Sequence, residues 1–479
     1  MSFARFLVKK SVASIQAESN SGELKRTLSA TNLVSLGIGC IIGAGIFVMT
    51  GQAAAQYAGP AIILSFVLAG LCCAFAGLCY AELAAMLPVS GSAYSYSYAS
   101  LGEIFAWIMG WLLLLEYGIA ASTVAVGWSG YVVSFLNNFG IVIPTQLTTP
   151  TLKIVDDSLV FTGGVNLPAL LGILAMTALL IRGVKESATV NNVIVFIKLA
   201  VVILFIVMGA MYINPENWHP FIPEAKGDQY GMSGILRGAG IVFFAYVGFE
   251  AVSTAAQEAK NPQRDIPIGI LGSLTVCTIL YMAVAAVLTG IVPFSTLNVP
   301  DPIAKAVDAI GLGWLSFIVK IGAIAGLTSV MMVLLYGQTR VFYTMAKDGL
   351  MPAVFAKVHS KFQTPYINTM VVGLIIGLIA ATTPISILGD LVSLGTLTAF
   401  AIICFTVLYL RKVEPNLARP FKVPFSPYFP VLGIGFCGYL IYGLLSNPVT
   451  VKFYGVYLLL GLAIYFFYSQ KHSKLKKAQ

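Results

Sequence analysis

Hydrophobic positions in this chain come in long unbroken runs, not in the alternating or 3.6-residue stripes of a soluble domain. Runs of about 20 apolar residues, the length a helix needs to cross a bilayer, fall near 31–54, 60–83, 104–135, 167–182, 190–213, 234–257, 267–291, 314–338, 367–382, 386–410, 429–446 and 452–469. The pattern predicts an all-α polytopic membrane protein with twelve spans. Polar positions collect in the connections. The longest of these, 136–166, includes "TQLTTPTLKIVDDSLVFTGG" and is expected over the outer face. The stretch from Arg340 to Pro365 is basic and amphipathic and is expected to rest against the inner headgroups. The first run follows a polar segment, 1–30, without a small-residue cleavage site, so it reads as a retained helix and not a signal peptide.

Two runs carry residues that a lipid-embedded helix should avoid. "CIIGAGIFVMTG" (Cys40 to Gly51) holds Gly43 and Gly45, with Gly37 and Gly39 just before it. Glycine costs a helix about 1 kcal/mol relative to alanine. "GILRGAGIVFFAYVGFEAVSTAAQE" (Gly234 to Glu258) holds Gly238, Gly240 and Gly248, and it comes five spans later. Interrupted spans at corresponding positions of two halves point to an inverted-repeat transporter. Spans 1–5 (31–213) would form one repeat and spans 6–10 (234–410) its inverted copy. Spans 11–12 (429–469) would be an appendage, followed by a basic tail, 470–479. Close helix packing of the small-xxx-small kind is the competing explanation. It accounts for one such motif more easily than for two in register. If span 1 unwinds at Gly43-Ala44-Gly45, its freed N–H groups and the positive end of a half-helix suit a carboxylate. Carbonyls released around "FFAYVG" suit an ammonium, and a site with both is complementary to an α-amino acid.

Composition narrows the class. The 479 residues are 58% hydrophobic and 10% charged, against about 25% charged for a soluble domain. A formal charge of +9 could suggest nucleic acid, but its distribution excludes that. Of the Lys and Arg residues outside the spans, only Lys153, Lys226, Lys305 and Lys452 fall on predicted outer segments. That bias places both termini in the cytoplasm and the protein in the cytoplasmic membrane, in contact with its lipids. The seven cysteines all lie in apolar runs without a CxxC pair, and the three histidines lie outside the runs and far apart. No metal site, cofactor or catalytic cluster is expected, and no GxxxxGK[ST] is present for ATP drive. An accessory membrane protein or a homo-oligomer is not readable from the chain.

Several stretches resemble the amino acid–polyamine–organocation superfamily, specifically bacterial relatives of the cationic amino acid transporters. They are "GIGCIIGAGIFVMTG", "CYAELAAMLPVSGSAYSYSY", "LEYGIAASTVAVGWSGY", "FFAYVGFEAVSTAAQEAKNPQRDIPIGI", "YGQTRVFYTMAKDGLMP" and "DLVSLGTLTAF". The resemblance implies a leucine-transporter type of fold, with a 5+5 inverted repeat, discontinuous helices 1 and 6 and two extra C-terminal helices. It implies import of L-amino acids by alternating access. Position by position, it sets Ile42, Gly43, Ala44, Gly45 and Ile46 around the substrate carboxylate. Phe243, Phe244, Ala245, Tyr246 and Val247 serve the amino group and side-chain pocket. Phe244 matches an outer gate, and Glu250 an acidic residue below the site.

Ionisable residues within the spans complete the reading. Lys198 in "NNVIVFIKLAVVILF" lies about eight residues into span 5, roughly 12 Å deep at the helical rise. It matches a lysine that, in proton-coupled relatives, replaces a sodium ion between spans 1 and 8. Its ammonium is expected to donate to carbonyls near Gly43 and to a hydroxyl such as Ser329, with the proton as coupling ion; snorkelling to the surface is the alternative. Glu116 would balance Lys198, relay its proton, face a cationic substrate, or simply brace two helices. Lys320 and Arg237 are expected to snorkel outward, and Asp390 to lie by the outer vestibule or cap a helix. Glu82, Glu258, Arg264 and Asp265 lie where inner-gate ion pairs could form. Ala44, Ala245, Gly326 and the Thr328–Met332 stretch make the expected pocket small and apolar, whereas the subfamily resemblance favours a cationic substrate. Exchange without a coupling ion, and a non-transporting amino acid sensor, remain the other functions the chain allows.

Overall fold

The computed structural model describes residues 8–10, 27–87, 92–155, 158–183, 188–227, 229–256 and 258–477. Most of the segment 1–30, with Arg5, Lys25 and Arg26, lies outside the described residues, as do Lys185 and the last two residues of the tail. Inner and outer below follow the orientation that the charge bias predicts.

Helix α1 (Ala30–Ile41) starts on a capping box, in which Ser29 and Asn32 each accept a bond from the other's backbone N–H. Helix α2 takes over at 45 and runs to 58, with π turns at Gly45–Met49 and Ala54–Ala58. Gly59, at φ +59°, ends it and turns the chain into α3 (Ile62–Met86). A short inner helix, α4 (Ser92–Ser100), precedes α5, the run Glu103–Asn137, which carries a π turn at Leu114–Ile119. Then come α6 (Leu167–Ile181) and α7 (Ala188–Ala210). The interrupted sixth span is α8 (Gly231–Val242) and the short α9 (Ala251–Thr254). They are followed by α10 (Pro262–Ile291), the outer α11 (Pro302–Ala309), α12 (Gly313–Lys347), α13 (Tyr366–Thr382) and α14 (Ile385–Val413). The last two apolar helices are α15 (Tyr428–Leu444) and α16 (Pro448–Ile464), the latter staying helical to His472.

Each predicted run meets helix. Among the described residues eight helical runs are long and apolar enough to cross a bilayer, and α1, α6, α13 and α15 are shorter apolar helices. The all-α expectation needs one addition. In the long outer connection β1 (Leu152–Val155) pairs antiparallel with β2 (Ser158–Phe161), Leu152 opposite Phe161. Both strands are rich in Val, Ile, Leu and Phe, which suit a pleated ribbon.

The packing follows a pattern. α10 lies along α3 and α1, α12 along α5, α13 along α6, and α14 along α15. The first and sixth spans meet at their interruptions, where a Cβ on Gly45 would collide with the Ala245 backbone. Large exposed apolar side chains such as Phe196, Leu374 and Val456 stand on the outside of the bundle, the face a lipid-embedded protein turns to its solvent.

Candidate functional site

The interruption of the first span is three residues long. Ile42 leaves the helix with an extended ψ of 100°, and the chain re-enters helix after Ala44. No side chain caps the new helix end, so its first N–H groups face the interior. The second interruption is longer. A 3₁₀ turn at Phe243–Tyr246 is followed by an extended Val247 and then Gly248 at φ +118°. A Cβ there would sit 2.9 Å from the Cys40 carbonyl oxygen, so Gly248 is needed both for its backbone angle and for the approach to α1.

Between the two interruptions lies a narrow, partly open cavity. Cys40, Ile41, Gly43, Ala44 and Gly45 form one wall, Phe244 and Val247 another, and Ala120, Val124, Val330 and Leu334 the side facing α5 and α12. Of the residues predicted from sequence, Gly43, Ala44, Gly45, Phe244 and Val247 line it. Ile42 and Ile46 are buried beside it. Phe243 turns away to pack on Phe400 at 5.6 Å, and Tyr246 donates to the Phe66 carbonyl at 3.0 Å. Ala245 is not among the lining residues; its carbonyl accepts from Tyr281. From the Thr328–Met332 stretch only Val330 reaches the cavity; Thr328 instead accepts a bond from Trp128 Nε1 at 2.9 Å.

The carbonyls that unwinding releases are met by side chains from other helices. Tyr281 of α10 places its hydroxyl 2.9 Å from the Ile41 oxygen and 2.8 Å from the Ala245 oxygen, bridging the two interruptions. Tyr131 donates to Phe47 at 2.8 Å, and Thr50 donates to Gly45 at 3.0 Å. Lys198 is 1% exposed and donates from Nζ to the Gly39 carbonyl at 2.9 Å. That carbonyl lies one turn before Gly43. Gly326 of α12 makes the room: a Cβ there would lie 3.1 Å from the lysine Cγ. Ser329 is buried one turn further along the same helix. The lysine reaches inward and does not snorkel.

Glu116 lies in the π turn of α5, one turn below the cavity-lining Ala120. It is wholly buried, and neither carboxyl oxygen has a hydrogen-bonding partner. The Glu250 carboxyl faces it; one Glu250 oxygen accepts from the Gly248 N–H at 3.0 Å and the other is without a partner. The Tyr80 hydroxyl, also without a partner, is a neighbour of both.

Three other intramembrane charges depart from expectation. Arg237 does not snorkel: it is 2% exposed and bonds Asp390 at 2.7 Å. Asp390 is accordingly neither an exposed cap nor a vestibule residue. Lys320 is buried and holds Asn138 at 3.0 Å, with Asp308 of α11 at 3.6 Å. In each case a partner on another helix offers more than a climb to the surface. On the inner side Glu82 pairs with Arg411 and Arg419, and Asp265 accepts from the Asn261 N–H at 3.1 Å as a local cap.

A polytopic helical bundle with two interrupted spans around a narrow apolar cavity defines a membrane transporter class. The amino acid permease family matches residues 28–472. The chain is 48% identical over 470 residues to the methylthioribose transporter of Bacillus subtilis, covering 98% of this chain and 99% of that one. It is likewise 48% identical over 471 residues to the branched-chain amino acid permease BcaP of the same organism, covering 98% of each. The vacuolar cationic amino acid transporter 4 of Arabidopsis thaliana is 38% identical over 413 residues, 85% of this chain and 67% of the relative. The chain therefore belongs to the amino acid permease family, within the amino acid–polyamine–organocation superfamily, and its relatives are transporters and not enzymes.

Proposed function

We propose that this permease imports neutral L-amino acids across the cytoplasmic membrane by proton-coupled alternating access, with both termini inside. The observation that carries the reading is the cavity between the two interruptions. The uncapped helix start after Ala44 offers N–H groups to a carboxylate, and the Ile41 carbonyl, which uses one lone pair for Tyr281, has its second to offer to an ammonium. Phe244 is 5% exposed and stands over this point as a gate. The remaining lining is aliphatic, from Ala120, Val124, Val247, Val330 and Leu334. Its small volume and lack of a charged side chain favour a neutral, medium-sized aliphatic substrate over lysine or arginine. The name of the branched-chain relative fits that choice. The contacts of the first span with the sixth, α3 with α10, α5 with α12 and α6 with α13 support the inverted repeat, since each pairs a span with the one five places on.

Lys198 is the coupling residue in this reading. Its ammonium ties α7 to the last turn of α1 through Gly39. Loss of the proton removes a charge-assisted donor and frees α1 to swing inward. Glu116 and Glu250 form the second proton site: two facing carboxyls without a donor between them are satisfied by one shared proton. No further cofactor is required.

The test is uptake into liposomes of radiolabelled leucine, arginine and methylthioribose, each with a proton gradient, a sodium gradient and none. Leucine accumulation on the proton gradient alone, abolished in Lys198→Ala, is the expected result. Uptake only into vesicles preloaded with amino acid would make the protein an exchanger, and binding without flux a sensor. Phe244→Ala is expected to weaken affinity and impair gating, seen as a raised KM and a lowered kcat for leucine.

A further inference from the structure

The hairpin of α15 and α16 has no part in the reading above, yet it meets one of the most buried charge pairs in the molecule. Arg237 lies on the outer half of the sixth span and Asp390 on the outer part of α14, and their Nη2–Oδ2 contact is 2.7 Å. The second guanidinium nitrogen, Nη1, donates to the Leu444 carbonyl at 2.9 Å, at the C-terminal end of α15. Asp390 in turn accepts from Thr450 at 3.0 Å, in the first turn of α16. The turn between α15 and α16 thus offers a negative helix end to the arginine and a positive helix end to the aspartate. Tyr57, at the outer end of α2, places its ring 5.3 Å from the guanidinium. Glycines bring the elements together: a Cβ on Gly240 would lie 2.7 Å from Leu444 Cγ, and one on Gly443 would lie 2.9 Å from Leu236 Cγ.

Taking two charges out of water is costly, and an apolar pair would serve a static core as well. A pair that must separate and re-form gains from being polar, since water can solvate both halves once they part. Next to Asp390, Gly389 receives Met49 of α2: a Cβ there would sit 2.6 Å from Met49 Cε. The seam between α2 and α14 therefore closes at the same level as the ion pair.

We propose that Arg237 and Asp390, seated in the polarised turn between α15 and α16, are the outer latch of the transport cycle, and that this hairpin is the fixed anchor of that latch. The proposal rests on the alternating-access reading, but not on the proton or on the identity of the substrate. Opening toward the outside breaks the pair, withdraws α14 from α2 and exposes the seam.

Met49→Cys reports the opening, because Met49 is 1% exposed in the closed state. Intact cells are treated with a membrane-impermeant maleimide, and the labelling of the parent chain, whose seven cysteines lie within the spans, is subtracted. In this background Thr450→Val is expected to raise the labelling rate about fivefold, the shift that one lost hydrogen bond gives. Asp390→Asn is expected to raise it further. Unchanged labelling in a Thr450→Val protein overturns the latch, whatever Asp390→Asn does to folding. An equal rise in a Gly373→Ala protein, where the added Cβ would crowd Thr177 of α6, also overturns it, since that is general loosening. The assay uses no substrate and no gradient, so failure of proton-driven uptake and failure of the latch are separate results.

Discussion

The two interruptions look alike in sequence and are made differently. In the first span the break is short, and its glycines serve two purposes. Gly37 and Gly45 are contact residues, because a Cβ on either would run into Ser273 or the Ala245 backbone. Gly43 faces the cavity. None of these glycines takes a positive φ; the chain leaves the helix through an extended Ile42. In the sixth span the break covers eight residues, 243–250, and turns on a backbone angle at Gly248 that other residues rarely adopt. Close packing and purposeful unwinding are usually posed as alternatives for glycines in membrane helices. Here both hold, at residues two or three positions apart.

The contrast is broken most severely by Gly45→Ala. The atoms opposite are the Ala245 backbone, where the two broken spans touch, so neither can yield without moving the other. A loss of about 3 kcal/mol or more is expected, read as collapse of expression and of the melting temperature in detergent. Gly248→Ala comes next. Left-handed strain of about 1–2 kcal/mol adds to the clash with the Cys40 oxygen, so clear but incomplete destabilisation is expected. A Gly248→Ala protein that melts like the wild type would show that the second break does not need its angle.

Tyr281→Phe sharpens the comparison without adding bulk. One hydroxyl proton serves carbonyls from both breaks, so its loss should cost about 1–2 kcal/mol and loosen both at once. Hydrogen exchange is expected to rise together in 39–46 and 243–248. A rise confined to one segment would make the bridge one-sided.

What the sequence disclosed follows from range. The apolar runs, the two glycine-bearing spans and Lys198 are local signals, and each is found where periodicity and hydropathy place it. Arg237, Lys320 and Asp390 were misread because their partners are remote: Arg237 and Asp390 are separated by 153 positions, and Arg237 and Leu444 by 207. Before packing is known, a charge near a helix end has only the surface to go to. Tyr281 was missed for a related reason, since a tyrosine in an apolar run reads as core until the carbonyls it serves are seen. Val330 falls in the Thr328–Met332 stretch expected at the pocket, whereas Val124 and Leu334 carry no signal at all, because an aliphatic residue facing a cavity is spelled like one facing a helix. Glu116 was legible as a buried acid. Its meeting with Glu250 depends on the long second break, which no pattern of hydropathy reports.

The smallest expected effect on folding is the most informative about the site. Gly43→Ala is the same chemical change as Gly45→Ala, two residues away. Its Cβ would meet the Val330 methyls at 3.4 Å, an ordinary contact at the edge of tightness, so stability should move by less than about 1 kcal/mol. The added methyl instead occupies the cavity wall between the first break and α12. A substrate that fills the space loses room there, whereas a smaller one does not. Leucine should therefore show KM raised about tenfold, the scale of one methyl group in a fitted pocket, while alanine uptake stays near wild type. Equal losses for both substrates would mean that the methyl disturbs the backbone groups that hold the carboxylate and ammonium, and not the side-chain end. Destabilisation as large as that of Gly45→Ala would mean that both glycines are packing residues, and that the cavity wall lies elsewhere.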